Sequence, residues 1–145
     1  YACFGLPRRV YALGGHLSPL EVDVEDVASV LFEFDAGSRR FPLHVHLDYV
    51  QLPAVRVCEI LGEQGRIVLD FDQATVDDLR PDGTADQFAA PEFRRNDMFV
   101  AELRHFLACL RGEESPRVGI RDGAASVRMA LAARRSLTTG QPVVL

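Results

Sequence analysis

The stretch Arg56–Asp70, RVCEILGEQGRIVLD, decides how this chain is read. Two runs rich in Val, Ile and Leu, at 55–61 and 66–71, flank GEQG. They predict a β-hairpin in which Gly62 and Gly65 supply the positive φ that tight connections demand. Beyond a Pro-containing loop at 88–93 comes NDMFVAELRHFLACLRG, residues 96–112, where Phe99, Leu103, Phe106, Leu107 and Leu110 recur at helical spacing. Asn96 or Asp97 is the expected N-cap. The apolar stripe, with Phe106 at its centre, is expected to bury against a sheet.

Upstream of the hairpin the chain alternates over 40–51. Phe41, Leu43, Val45, Leu47 and Tyr49 share one face, and Arg40, His44, His46 and Asp48 share the other. The run 26–34 is β-rich and ends in the turn DAGS, and 8–17 sets Val10, Tyr11 and Leu13 in strand-like surroundings. Downstream, 74–79 and the turn Pro81-Asp82-Gly83 are expected to extend the same sheet. A second helix is expected to open at Asp122 and end before Gly140. It sets Arg121, Arg128 and Arg135 opposite Met129, Ala130, Ala133 and Leu137, and such an Ala-rich side implies close packing.

Strands first and helices afterwards make the α+β pattern: a largely antiparallel open β-sheet with helices packed on one face, in a single domain spanning 1–145. The other face then retains Val27, Leu31, Val57 and Leu61. An apolar patch of this kind marks a partner surface, so a homodimer or higher homo-oligomer through the open sheet face is expected.

Composition narrows the function classes. The chain has 145 residues, 48% apolar and 26% charged, which excludes disorder. No apolar run approaches the roughly 18 residues of a membrane helix. A net charge of -5 with scattered Arg pairs argues against nucleic acid as a partner. All sixteen basic residues are Arg, so lysine Schiff-base chemistry is excluded, and a compositional bias accounts for the pattern. Cys3, Cys58 and Cys109 are odd in number and show no C-x-x-C spacing. A reducing cytoplasm fits, and Cys58 in an apolar strand and Cys109 beside an apolar helix face read as structural core fillers. YACFGLP at 1–7 reads as the last turn of a helix closed by Gly5 and stopped by Pro7, as though the chain were cut from a longer enzyme. No segment carries a G-x-G-x-x-G turn between a strand and a helix, the fingerprint that seats a dinucleotide pyrophosphate.

Four segments in order resemble the C-terminal domain of the glucose–fructose oxidoreductase, inositol dehydrogenase and MocA family: EDVASVLFEFDAG at 25–37, CEILGEQGRI at 58–67, AELRHFL at 101–107 and AARRSLTTG at 132–140. The resemblance implies an NAD(P)-dependent parent oxidoreductase acting on a sugar, sugar acid or cyclic polyol. It also implies a Rossmann domain, absent from this chain, as the immediate partner. NAD or NADP would then be held by that other domain, with no cofactor on these residues. The family's catalytic Lys after a Glu and its Asp-x-x-x-His have no match here, so no catalytic residue is assigned and the isolated chain is expected to be inert.

By the same resemblance, the strand end before the hairpin and the start of the long helix form a substrate wall. Tyr49, Gln51, Asn96 and Phe99 fall there. Many members carry Tyr where this chain has Phe99, which removes one hydroxyl contact. His46 and Asp48, with His44, form H-x-H-x-D along one side of a strand, in reach of one polyol or one ion. Without further His or Cys nearby, substrate or interface contact is the better reading, and no metal site is assigned. Arg56 and Arg66 can hold an anion, yet Glu59 and Glu63 are ordinary ion-pair partners. Two other functions stay open: a stand-alone sugar-binding or assembly module without redox activity, and a metal-dependent sugar isomerase resting on His44, His46 and Asp48.

Overall fold

Strand β1 (Arg9–Gly15) lies antiparallel to β2 (Val27–Ala36), which turns through Gly37 and Ser38 into β3 (Arg39–Asp48). Gly37 makes this two-residue turn with φ +64, a conformation that strains any residue with a Cβ. Strands β4 (Val57–Gly62), β5 (Gly65–Asp70), β6 (Thr75–Leu79) and β7 (Ala85–Ala89) follow as a meander. Helices α1 (Arg95–Leu110) and α2 (Ile120–Thr139) precede the short β8 (Val143–Val144). The computed structural model describes residues 1 and 3–145.

The strands form two four-stranded antiparallel sheets, ordered β3-β2-β1-β8 and β4-β5-β6-β7. The chain divides accordingly into two compact units, one of residues 1–50 and 117–145, the other of residues 51–116.

In the first unit, register puts Val10, Phe32 and Leu43 side by side, then Ala12, Val30 and Val45, all on one face. α2 lies against β1 and β8 on that face. Ala132, Ala133 and Ser136 give it a surface without bulk, so helix and sheet approach closely, and Val10, Ala12, Val30, Phe32 and Phe34 are buried with them. Ser136 is fully buried, and its Oγ accepts from Ala12 N at 3.0 Å and donates to the Gln141 carbonyl at 2.8 Å. That one hydroxyl ties helix, strand and C-terminal tail together. Phe4, Phe34 and Phe41 close one end of the core, with Phe34 and Phe41 stacked at 5.3 Å.

In the second unit the GEQG hairpin forms as expected, with Gly62 opposite Gly65. Gly65 has φ +134, and a Cβ there would meet the Leu79 carbonyl at 2.2 Å, so close strand approach requires this glycine. Gly62 does not need a positive φ. At the Pro81-Asp82-Gly83 turn, Asp82 Oδ1 accepts from Thr84 N and Thr84 Oγ1, which aligns β6 with β7.

The α+β class stands, and several details differ from the sequence reading. The strands do not form one sheet: Val27 and Leu31 lie in the first, Val57 and Leu61 in the second. α1 begins at Arg95 behind Arg94 with no side-chain cap, so Asn96 and Asp97 lie inside the helix. Its stripe is not buried; Phe106 is 57% exposed. α2 begins at Ile120 behind Gly119, and Asp122 serves instead as the third helical residue whose carboxylate accepts from Gly119 N at 2.8 Å. Two strands were not expected: β7 runs to Ala89, into the expected loop at 88–93, and β8 has only two residues. Of the expected helix end at 1–7, Ala2 lies outside the described residues; Gly5 has φ +73 and its N–H donates to the Tyr1 carbonyl at 2.7 Å.

Candidate functional site

α2 covers the β1 side of the first sheet and leaves a cavity of about 560 Å³ beside β2 and β3. Ala28, Val30, Phe32 and Val45 line it from the sheet, and Met129, Ala133 and Leu137 from the helix. Its polar lining comes from Glu25, Asp26, Asp48, Tyr49, Ser126 and Arg134. An apolar hollow with a few convergent polar groups is the usual form of a small-molecule site. Arg134 Nε lies 3.5 Å from Glu25 Oε1, so this guanidinium is already paired with an acid.

His46, Asp48 and Tyr49 come together at the end of β3. His46 Nε2 stands 3.3 Å from Asp48 Oδ2, while Asp48 Oδ1 accepts from Val50 N at 2.9 Å. Tyr49 is exposed and its N–H donates to the Asp26 carbonyl at 3.0 Å. Asp48 and Tyr49 line the cavity; His46 is not in its lining and shares the alternating side of the strand with His44 and Asp48. Gln51, Asn96 and Phe99 are all exposed and belong to the second unit, the latter two on the first turns of α1.

The two imidazoles of H-x-H-x-D have different partners, since His44 Nε2 meets Ser29 Oγ at 2.8 Å. Among the described residues no group of three or more His, Cys, Asp or Glu is placed to hold a metal ion. The flanking arginines also have local partners: Arg66 Nη1 donates to Glu59 Oε1 at 3.0 Å, and Arg56 sits over the Phe71 ring at 5.2 Å.

Nothing in the spacing of Asp26 marks it in the sequence. It is 2% exposed and holds the loop at 16–25 against the strand ends, accepting from Leu17 N at 2.7 Å, Ser18 N at 2.9 Å and Ser18 Oγ at 2.5 Å. The Leu17 N–H first, then the Ser18 hydroxyl, lower its pKa from 3.8 to about 2, against the opposing effect of burial. His16 adds a weaker attraction, with Nδ1 at 3.9 Å. Asp26 is thus a fixed anion that shapes the cavity wall.

Neither helix is entered through a G-x-G-x-x-G turn. β7 enters α1 through 90–94, APEFR, which has no glycine to admit a phosphate to the backbone. The N-terminus of α2 is occupied by its own Asp122 carboxylate.

The fold, the family motifs and this arrangement together define a class: the C-terminal α/β domain of an oxidoreductase. The oxidoreductase family's C-terminal alpha/beta domain matches residues 4–145, and the chain belongs to that family, of glucose–fructose oxidoreductase, inositol dehydrogenase and MocA. Among solved structures, an aldose-aldose oxidoreductase from Caulobacter crescentus, complexed with glycerol, superposes with TM-score 0.75 at 21% identity. The match covers 97% of this chain and 42% of that one. The WlbA dehydrogenase from Bordetella pertussis, in complex with NADH and UDP-GlcNAcA, gives TM-score 0.65 at 20% identity over 97% of this chain and 39% of that one. The chain therefore spans about two fifths of these structures, and at such identities the likeness is one of fold. Among curated proteins none matches the sequence. No helix among the described residues is long and apolar enough to cross a membrane.

Proposed function

We propose that residues 1–145 act as the substrate-binding and dimerisation domain of an NAD(P)-dependent oxidoreductase acting on a sugar, sugar acid or cyclic polyol, with NAD or NADP held by an N-terminal Rossmann domain. The family match over 4–145 carries this reading. The groups assigned to the substrate suit a polyol within each unit taken by itself: in the first, Asp48 accepts from hydroxyls and His46 and Tyr49 donate and accept; in the second, Gln51 and Asn96 donate and accept and the Phe99 ring offers an apolar face for C–H groups. Hydride and proton transfer fall to residues outside these 145, and the three free cysteines suit a reducing cytoplasm.

Subunit association is assigned to the face of the first sheet turned away from α2. Tyr11, Leu13, Val27, Leu31 and Pro42 share that face by register, and Leu13 and Leu31 are exposed. A two-fold dimer there should bury more than about 1,000 Å². Sedimentation of the chain against Leu13→Arg combined with Leu31→Arg checks this, and a strictly monomeric wild type at tens of micromolar would remove the dimer from the reading.

The decisive experiment uses the complete reading frame that encodes this chain. It should reduce NAD(P) with a sugar or polyol, and Asn96→Ala and Tyr49→Phe should raise KM more than they lower kcat. The chain by itself should not bind nicotinamide nucleotides. A complete protein that binds sugars but neither nucleotide would favour the stand-alone module.

A further inference from the structure

The second unit carries a cluster of nucleophilic and titratable side chains at the end of α1. His105 and Cys109 stand one turn apart on α1 and so share a flank of the helix. The helix ends in a Schellman turn, with Gly112 N donating to the Cys109 carbonyl and Glu113 N to the Ala108 carbonyl, both at 3.0 Å, and with Gly112 at φ +75. This turn brings Glu114 back along the helix. Its Oε2 lies 2.5 Å from His105 Nδ1, and His105 Nε2 lies 3.6 Å from Cys109 Sγ.

An ionised carboxylate can only accept, so Glu114 favours the tautomer of His105 that carries its proton on Nδ1, and in the neutral ring that tautomer presents the Nε2 lone pair to the thiol. Nucleophile, base and a third group that orients the base is the arrangement that activates a thiol. A cysteine that merely filled space on α1 would need neither neighbour.

We propose that Cys109 is a reactive thiol, a modification site for low-molecular-weight disulfides, with His105 as its base and Glu114 as the positioning residue. The thiol proton passes to His105 Nε2, and the thiolate attacks one sulfur of the disulfide. A new S–S bond forms at Cys109 as the old one breaks. The departing sulfur leaves with the electron pair and takes the proton back from His105. Cys109 is oxidised and the departing sulfur is reduced, so the exchange balances without another reactant.

The three cysteines supply the test within one molecule, because Cys3 and Cys58 are exposed and Cys109 is only partly so. Accessibility alone would make Cys109 the slowest. The full chain is treated with oxidised glutathione near neutral pH, and mixed disulfide at each cysteine is followed by peptide mass spectrometry. Cys109 should react about tenfold or more faster than Cys58, and His105→Gln should remove that advantage while the other two rates stay constant. Glu114→Gln, a change at an exposed side chain, should slow Cys109 several-fold. Loss of folding gives a different signature, a convergence of all three rates, and circular dichroism identifies such a variant so that Glu114→Gln decides. Cys109 reacting slowest in the wild type overturns the proposal. So does an unchanged Cys109 rate in folded His105→Gln and Glu114→Gln.

Discussion

The two units hold their helices differently. In residues 1–50 and 117–145 every buried side chain of the described chain is found, including Val10, Phe32, Phe34 and the alanines of α2. Between 51 and 116 no residue is buried. Yet α1, with Phe99, Leu103, Phe106 and Leu110, has the larger apolar side chains, while α2 presents mostly alanine. Burial follows complementarity rather than bulk: small residues let α2 sit close on the sheet, where dispersion contacts are dense. The second sheet has a different support, ladder hydrogen bonds reinforced by surface pairs such as Arg66–Glu59, Arg80–Asp78 and Gln87–Asp77. Exposed pairs of this kind contribute little individually.

Substitutions can break that contrast. Phe34→Ala empties a site 2% exposed and stacked on Phe41, and should cost about 3–5 kcal/mol in denaturant melts. Ser136→Ala comes next. It leaves the Ala12 N–H and the Gln141 carbonyl without their buried partner, a loss of about 1–3 kcal/mol. Phe106→Ala, at a half-exposed position on α1, should cost less than about 1 kcal/mol. Equal effects for Phe34 and Phe106 would mean that the contrast between the units is wrong.

The narrowest effect is confined to acid. Asp26 is held at about 2 in the folded chain against an ordinary 3.8, so its contribution to stability is complete above 3.8 and is lost as pH falls towards 2. Asp26→Asn should therefore flatten the acid limb of the stability curve between those values. A wild-type and mutant limb of identical slope there would show that the Leu17 and Ser18 hydrogen bonds do not bind the carboxylate in preference to the acid.

Much was readable in the residues. Alternation in 40–51 marked the core face of β3, and GEQG marked the β4–β5 hairpin. The four ordered segments marked the family. Each is a local property of a few neighbouring residues, set by side-chain period and backbone sterics. What covers each face was not readable, because hydrophobic burial is non-directional: the stripe on α1 says which side is apolar and nothing about what meets it. The same limit hid Asp26, whose partners Leu17 and Ser18 reach it through a loop, and Glu114, brought to His105 only by the turn at Gly112. The sequence by itself determined the family, strands β1 to β6 and which side of each helix is apolar. Only the tertiary structure decided that the alanine-rich helix is the buried one, that the strands divide into two sheets, and which polar groups meet, since those outcomes depend on distances between segments that no local pattern encodes.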